Sequence, residues 1–319
     1  MKRLGDWEYA LGVNFMNQHL SHMTITGTRK FDYPPVFTSL SPWWKEYGVL
    51  NDYFARLSLV LSQGRQENGW LILEPTTSLW LHYTNVSGGK PLWDIANDFQ
   101  ALLGALERGQ MEYDLGCEDI MADCASVGRK CLRVGQTRYH TVVLPAKTEN
   151  LESRTFQLMR DFASSGGRII ALGLPDFVDG EESAELQAFM QSDAVIKMQT
   201  PQEILSLYRQ ETDLLVQCPE NSHVYHYRCR YEDGQLLFLT NSSLTDETPV
   251  TVSMPGKYLY RLDAMTGRIY LQSKAEGGKL KVETKLFPAD SQLWFASDEK
   301  VLNAEAGKGL ITGGKIVAK

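Results

Sequence analysis

A short stretch near the start of the chain collects side chains that could bind a hydroxyl-rich ligand. They are His19, His22, Arg29, Lys30, Trp43 and Trp44. Neutral imidazole donates and accepts hydrogen bonds, and guanidinium and ammonium groups donate them, so all suit hydroxyl groups. Tryptophan rings can stack on the apolar face of a sugar ring. The pattern predicts a substrate-binding surface. The alternatives are that the histidines only form hydrogen bonds with backbone carbonyls, that the two cations are solvated charges of a loop, and that at least one tryptophan packs in a core.

One acidic residue of this stretch, Asp32, is the weak candidate for proton transfer, alone or with His22. Asp52 is better explained by its place near a helix N-terminus, and Asp6 and Glu8 are interpreted as part of a charged leader. Two histidines three positions apart could begin a metal site, but no third ligand follows at a suitable spacing, so no metal is assigned.

The elements that must position these residues are predicted from the apolar pattern between Gly12 and Leu61. Val13, Phe15 and Met16 form a brief apolar run, which predicts a buried parallel strand. A long loop stiffened by prolines follows, and loops of this length in a compact domain are usually functional. Apolar residues spaced by three and four then predict an amphipathic helix that ends at Leu61. The ends of such strands are where α/β enzymes place their chemistry.

Two further patterns divide the rest of the chain. From Gly69 onwards, continuous apolar runs such as 70–73, 141–145 and 168–173 alternate with helical segments, which predicts a parallel sheet with helices on both faces, a flavodoxin-like layout. After Asp213 the apolar period changes to two. A hairpin with an Asp233-Gly234 turn and further short strands predict a small antiparallel β-sandwich.

Composition excludes several classes of protein. The chain has 319 residues, 43% of them hydrophobic, and a net charge of −7 without a basic stripe, which argues against a nucleic-acid partner. No apolar stretch predicts a membrane span, and the basic residues at the start precede no apolar run, so the sequence as given predicts a cytoplasmic protein without a signal peptide. Five cysteines without close metal-ligand pairs favour reduced thiols.

Three motifs near the start resemble the end of the catalytic barrel in glycoside hydrolase family 106, the α-L-rhamnosidases, and their relatives. They are Gly12, Asn14 and His19, then Pro42-Trp43-Trp44, then Tyr53-Phe54-Ala55-Arg56. The stretch RYHTVVLPAKTENLESRTFQLMRDFASSGGRIIALGLPDFVDG is similar to the amidotransferase-like domain of these enzymes and of family 42 β-galactosidases, where it is known as the trimerisation domain. RCRYEDGQLLFLTNSS and LYRLDAMTGRIY look like the sandwich that follows it.

The resemblance implies an α/β chain of four parts. These are residues 1–66, the last (β/α) unit or units of a TIM-type barrel; 67–212, a flavodoxin-like domain; 213–298, a β-sandwich; and 299–319, a tail or the start of a further domain. It implies a fragment of a glycoside hydrolase that acts on carbohydrate, in which the two carboxyl groups that glycoside hydrolysis needs lie upstream. The chain alone is then expected to be inactive. If an N-terminal part is missing, the parent protein is expected to be secreted or periplasmic. Full-length relatives are expected to bind calcium, but no calcium-binding residues can be identified in this sequence.

Two other interpretations stay open at this point. One is a noncatalytic carbohydrate-binding or assembly module, with a homo-oligomer formed through the flavodoxin-like domain. The other is a self-sufficient enzyme that uses Asp32 with His22.

Overall fold

The computed structural model describes residues 1–19, 21–31, 33, 36–85, 89–275, 277–300 and 305–306. The chain divides into two compact units. One comprises Met1–Gln66 together with Asp213–Lys319 and is called the antiparallel unit. The other comprises Glu67–Thr212 and is called the parallel-sheet unit.

The first segment of the antiparallel unit is helical at both ends. Helix α1 spans Lys2–Ala10 and helix α2 spans Tyr47–Leu61, with short 3-10 helices at Gly27–Phe31 and Trp44–Glu46 between them. Residues 12–19 contain no strand among those described, and Val13 and Phe15 are exposed. The predicted buried strand is therefore wrong. A strand needs a neighbour for its backbone hydrogen bonds, and the described residues supply none for this run.

The parallel-sheet unit alternates strands and helices as the apolar runs predict. Its elements are β1 (Trp70–Leu73), α3 (Thr76–Leu81), α4 (Lys90–Arg108), β2 (Asp114–Gly116), α5 (Glu118–Cys124), β3 (Ala125–Gly128), β4 (Cys131–Val134), β5 (Thr137–Tyr139), β6 (Thr141–Leu144), β7 (Asn150–Leu151), α6 (Ser153–Ser164), β8 (Arg168–Ala171), β9 (Phe177–Val178), β10 (Glu181–Glu182), α7 (Ala184–Gln191), β11 (Val195–Lys197) and α8 (Pro201–Glu211).

Five of these strands form a parallel sheet in the order β11-β8-β6-β1-β2. Successive side chains of a strand point to opposite faces, so each strand contributes to two cores. Leu71 and Leu73 belong to one apolar cluster and Trp70 and Ile72 to another. Both faces are therefore covered, as parallel sheets require.

Nine strands lie in the described part of the antiparallel unit after residue 212. They are β12 (Leu215–Gln217), β13 (Val224–Arg230), β14 (Gln235–Asn241), β15 (Thr248–Pro255), β16 (Tyr258–Asp263), β17 (Arg268–Lys274), β18 (Lys279–Leu286), β19 (Ser291–Ser297) and β20 (Glu305–Ala306). One sheet has the order β12-β15-β18 and the other β13-β14-β19-β16-β17-β20. The predicted hairpin is confirmed as β13 and β14.

The second of these sheets packs on both faces. Leu237, Leu239 and Trp294 pack with residues of the three-stranded sheet. Leu236 and Phe238, which alternate with them along β14, pack with Tyr9 of α1 and with Leu57 of α2. The alternation along one strand thus explains how a single hairpin contributes to two cores.

No helix among the described residues combines the length and the apolar composition that crossing a membrane requires.

Candidate functional site

Four aromatic rings meet at the start of helix α2 and form what we call the aromatic platform: Phe37, Trp43, Trp44 and Tyr47. The Trp44 ring stacks on Tyr47, with centroids 5.7 Å apart and planes inclined by 20°. Trp43 lies 5.7 Å from Tyr47 and 5.9 Å from Phe37. Trp43 is 40% exposed and Trp44 41% exposed, so both present ring surface to solvent while held by their neighbours.

The backbone around the platform is fixed by short-range hydrogen bonds. The Ser41 hydroxyl, which is buried, donates to the Val36 carbonyl at 2.6 Å. The Trp44 amide donates to the Ser41 carbonyl at 3.1 Å, and the chain then enters a 3-10 helix that continues into α2. Burial raises the pKa of Tyr47, so its hydroxyl remains a neutral hydrogen-bond donor throughout the ordinary pH range.

The two histidines lie on the first part of the same loop. The rings of His19 and Tyr33 meet edge to face at 4.8 Å. The Nε2 atom of His22 is buried and has no hydrogen-bond partner among the described residues. Ser21 connects this part to the platform, because its hydroxyl accepts a hydrogen bond from the Phe37 amide at 3.2 Å.

The two predicted cations lie in the 3-10 helix Gly27–Phe31 and are exposed. The Lys30 ammonium sits 5.2 Å from the centroid of the Phe31 ring. Within the described residues, neither Arg29 nor Lys30 makes a hydrogen bond, ion pair or cation–π contact with the platform. The structure thus brings the two tryptophans together and leaves the cations apart from them.

The acidic candidate Asp32 lies outside the described residues. Its role in proton transfer, and the binding roles of the six other residues, remain predictions. The part of the chain that the structure describes contains no group of three or more histidine, cysteine or acidic side chains placed to hold a metal ion.

Two residues of the Tyr53-Phe54-Ala55-Arg56 motif form side-chain hydrogen bonds to other elements. The Tyr53 hydroxyl donates to Asp6, which is fully buried, and Arg56 donates to the carbonyls of Ala264 and Met265. The motif therefore connects α2 by hydrogen bonds to α1 and to the turn between β16 and β17. This function was not foreseen from the sequence, because the partners lie far away along the chain.

A cavity of about 460 Å³ in the antiparallel unit was not predicted either. It is lined by Arg230, Glu232, Asp233, Gly234, Gln235, Pro255, Gly256, Ala296, Ser297, Asp298 and Glu299. Arg230 is already paired with Asp213 at 2.8 Å, so carboxylates dominate the lining. The Asp233-Gly234 turn was the only part of the lining that stood out in the sequence. Because the alternating pattern around it already explains it as a hairpin turn, it gave no reason to predict a cavity.

The chain matches no protein-family profile and no curated protein sequence. Among solved structures, a rhamnosidase from Novosphingobium sp. PP1Y aligns with a TM-score of 0.63 and 18% identity, over 96% of this chain and 30% of that one. Gan42B, a GH42 β-galactosidase from G. stearothermophilus, aligns with a TM-score of 0.51 and 8% identity, over 82% of this chain and 44% of that one. This chain thus spans less than half the length of either enzyme. At these identities the similarity concerns the fold alone, which this chain shares with part of each of the two enzymes.

Proposed function

We propose that the chain recognises carbohydrate as part of a glycoside hydrolase of the α-L-rhamnosidase type, with the aromatic platform as a sugar-contacting surface. The exposed, mutually packed rings of Trp43 and Trp44 carry this proposal. A rigid indole face suits the apolar face of a pyranose, and adjoining exposed rings offer a larger apolar surface than a single ring does. The fold shared with a rhamnosidase supports the choice of sugar.

The finer architecture belongs to the same proposal. We take residues 67–212 as a flavodoxin-like domain. When the five strands of the parallel sheet are numbered 1 to 5 in chain order, their order across the sheet is 2-1-3-4-5, which is the flavodoxin-like order. We take residues 213–298 as a β-sandwich, because two antiparallel sheets share one apolar cluster. Residues 1–66 are taken as the end of a barrel on the strength of the motifs alone.

Catalysis in this type of enzyme depends on a pair of carboxyl groups. Asp32 is the candidate acid on this chain, and His22, ten positions earlier, is proposed to act with it. Turnover of p-nitrophenyl α-L-rhamnoside by the purified chain, lost on Asp32→Asn, would support catalysis by this chain. Absence of turnover together with sugar binding would support recognition without catalysis.

Binding is tested by isothermal titration with methyl α-L-rhamnopyranoside and with rhamnose-containing oligosaccharides. Trp44→Ala removes the ring that stacks on Tyr47, and about a tenfold loss of affinity is expected, equivalent to about 1.4 kcal/mol. Trp93→Ala is the matched control, since Trp93 is 59% exposed in helix α4. Equal affinities for the wild type and Trp44→Ala would contradict the proposal.

A second candidate function, assembly, rests on the edge of the parallel sheet. Strand β2 is an edge strand, and its residue Leu115 is 46% exposed, as is Ile120 of α5 at 57%. Open edges with apolar side chains tend to pair with another chain. Light scattering coupled to gel filtration should show a homo-oligomer that Leu115→Lys dissociates, while a monomeric wild type would exclude this candidate.

A further inference from the structure

One ring of the aromatic platform contacts the other three. The Tyr47 centroid lies 5.7 Å from that of Trp43, 5.7 Å from that of Trp44 and 6.1 Å from that of Phe37. Tyr47 is partly buried, whereas Trp43 and Trp44 are exposed. Tyr47 therefore lies at the centre of the platform, with the two indoles at its surface.

The backbone holds Tyr47 where two helical segments join. It is the first residue of α2, and its amide donates to the Trp44 carbonyl in the 3-10 helix Trp44–Glu46. Residues three and four positions apart lie on one face of a helical turn, which brings Trp44 and Trp43 to the Tyr47 ring. Four buried side chains anchor the rest of α2: Tyr53, Phe54, Leu57 and Leu61. A ring carried by an anchored helix positions its neighbours more precisely than a ring on a loop does.

The two indole planes are inclined to each other. The Trp44 plane makes an angle of 20° with the Tyr47 plane, and the Trp43 plane makes an angle of 58° with it. The angle between the two indole planes is then at least 38°, the difference between 58° and 20°. Two indoles inclined in this way cannot both stack face to face on one flat ring.

The two indoles are also close enough to contact one ligand. Each indole centroid lies 5.7 Å from the Tyr47 centroid, so the two indole centroids are separated by no more than twice that distance. Linked pyranose rings rotate about the glycosidic bond and can present ring faces that are inclined to each other. A saccharide with two linked rings can therefore stack on both indoles, and a single ring on only one of them.

We infer that Tyr47 is the positioning residue of the platform, and that the inclination it imposes on Trp43 and Trp44 selects a saccharide of two or more linked rings over a single ring. The inference rests on the proposed function for its class of ligand, a carbohydrate. Tyr47 acts through the two indoles and needs no contact of its own with the sugar. Its ring is therefore required, and its hydroxyl is not.

Isothermal titration of the full chain with two ligands tests this inference. The ligands are methyl α-L-rhamnopyranoside and the methyl glycoside of an α-linked rhamnose disaccharide. We expect the disaccharide to bind the wild type about tenfold more tightly, because its second ring stacks on the second indole. Tyr47→Leu keeps an apolar side chain but removes the aromatic plane, and should remove this preference. Tyr47→Phe keeps the ring and should keep the preference.

A second variant keeps the test decisive if Tyr47→Leu fails to fold. Trp43→Ala leaves Tyr47 in place but removes one of the two inclined faces, so it should also remove the preference. The matched control is Tyr83→Leu, since Tyr83 is 69% exposed in the parallel-sheet unit, and both affinities should stay unchanged.

Equal affinities of the wild type for the two ligands would overturn the inference and leave the proposed function standing, whereas no binding of either ligand would refute both. A preference that survives in Tyr47→Leu, with only a lower melting temperature, would show that Tyr47 stabilises the start of α2 and does not position the indoles. Loss of the preference in Tyr47→Phe would assign the effect to the hydroxyl, which also overturns the inference.

Discussion

The hydroxyl of Tyr53 donates a hydrogen bond of 2.7 Å to the fully buried carboxylate of Asp6, joining helix α2 to helix α1. Lys2 contacts the same carboxylate at 2.5 Å, and its ammonium group also donates to Ser291 on β19 at 2.8 Å. A charge so deeply buried is tolerated only when it is paired and hydrogen-bonded. Burial first, and then the neighbouring Asp6 charge, raise the pKa of Tyr53, which keeps the phenol protonated.

Tyr53→Phe is expected to destabilise the antiparallel unit by about 2 kcal/mol, because hydrogen bonds to charged groups contribute about 1.5–3 kcal/mol and Asp6 would lose a donor. Urea denaturation of the purified variant measures the change. Tyr83→Phe is the control, since Tyr83 is 69% exposed and its hydroxyl has no hydrogen bond within the described residues. An unchanged midpoint for Tyr53→Phe would mean that water replaces the lost donor.

Two glycines give the second prediction, because a substitution by alanine should destabilise the fold at one of them and stabilise it at the other. The first is Gly173, just after β8. An added Cβ at Gly173 would lie 2.0 Å from the Ala146 carbonyl oxygen, so the backbone itself would have to move. Gly173→Ala is therefore expected to destabilise the parallel-sheet unit by about 1–3 kcal/mol or more. Differential scanning calorimetry should show a lower transition temperature.

Gly48→Ala is the matched control for this substitution. Gly48 lies in the first turn of α2, and an added Cβ would meet no atom within 4 Å. Because alanine has the higher helix propensity, a gain of up to about 1 kcal/mol is expected. Similar effects at both glycines would contradict the packing argument.

Local sequence patterns were sufficient for the parallel-sheet strands and for the hairpin. Runs such as Trp70–Leu73 are apolar throughout because both faces of the strand are buried, and this pattern does not depend on distant residues. The Asp233-Gly234 turn likewise sets the register of its hairpin locally.

Helix α1 and the site could not be predicted in the same way. Asp6 was expected in a charged leader, but it is buried and accepts a hydrogen bond from Tyr53, which lies 47 positions along the chain and is itself hydrogen-bonded to Ser291. Helix α3 depends on distant residues too, because its Thr77 donates to the buried carboxylate of Glu118, 41 positions along the chain, at 2.7 Å. The proximity of Trp43 to Tyr47 fits helical spacing, whereas that of His82 to Glu149 depends on the sheet order.

Arg56 fixes the turn between β16 and β17 and gives the third prediction. Its guanidinium donates at 2.9 Å to the carbonyls of both Ala264 and Met265. Both hydrogen bonds come from Nη1, which lies one bond further along the side chain than the nitrogen of a lysine. Arg56→Lys should therefore weaken them, lower the free energy of unfolding by about 1 kcal/mol and speed hydrogen exchange of the Met265 and Gly267 amides. Arg154→Lys, at an exposed position of α6, is the control. Unchanged exchange at both amides would show that the turn is held by its own hydrogen bonds, such as that from Gly267 to Asp263.

Asp213 gives the pH-dependent prediction, because it pairs with two arginines of β13. Its carboxylate lies 2.5 Å from Arg228, which is only 8% exposed, and 2.8 Å from Arg230. Burial by itself would raise the pKa of Asp213, but the hydrogen bonds and charges of the two arginines outweigh it and hold the pKa below its ordinary value.

A carboxyl group whose pKa is lower in the folded than in the unfolded state stabilises the fold above the unfolded pKa, about 3.9 for aspartate, and loses that contribution as pH falls through the folded value. Asp213→Asn should therefore cost about 1–2 kcal/mol at neutral pH, a figure reduced for the partial exposure of Asp213, because Arg228 keeps a buried charge without its partner. The difference in free energy of unfolding between Asp213→Asn and the wild type should shrink as the pH falls below about 4. Urea denaturation at a series of pH values measures it, with Glu220→Gln, an exposed carboxylate, as the control. A difference that persists at low pH would show that Asp213 acts through packing and not through its charge.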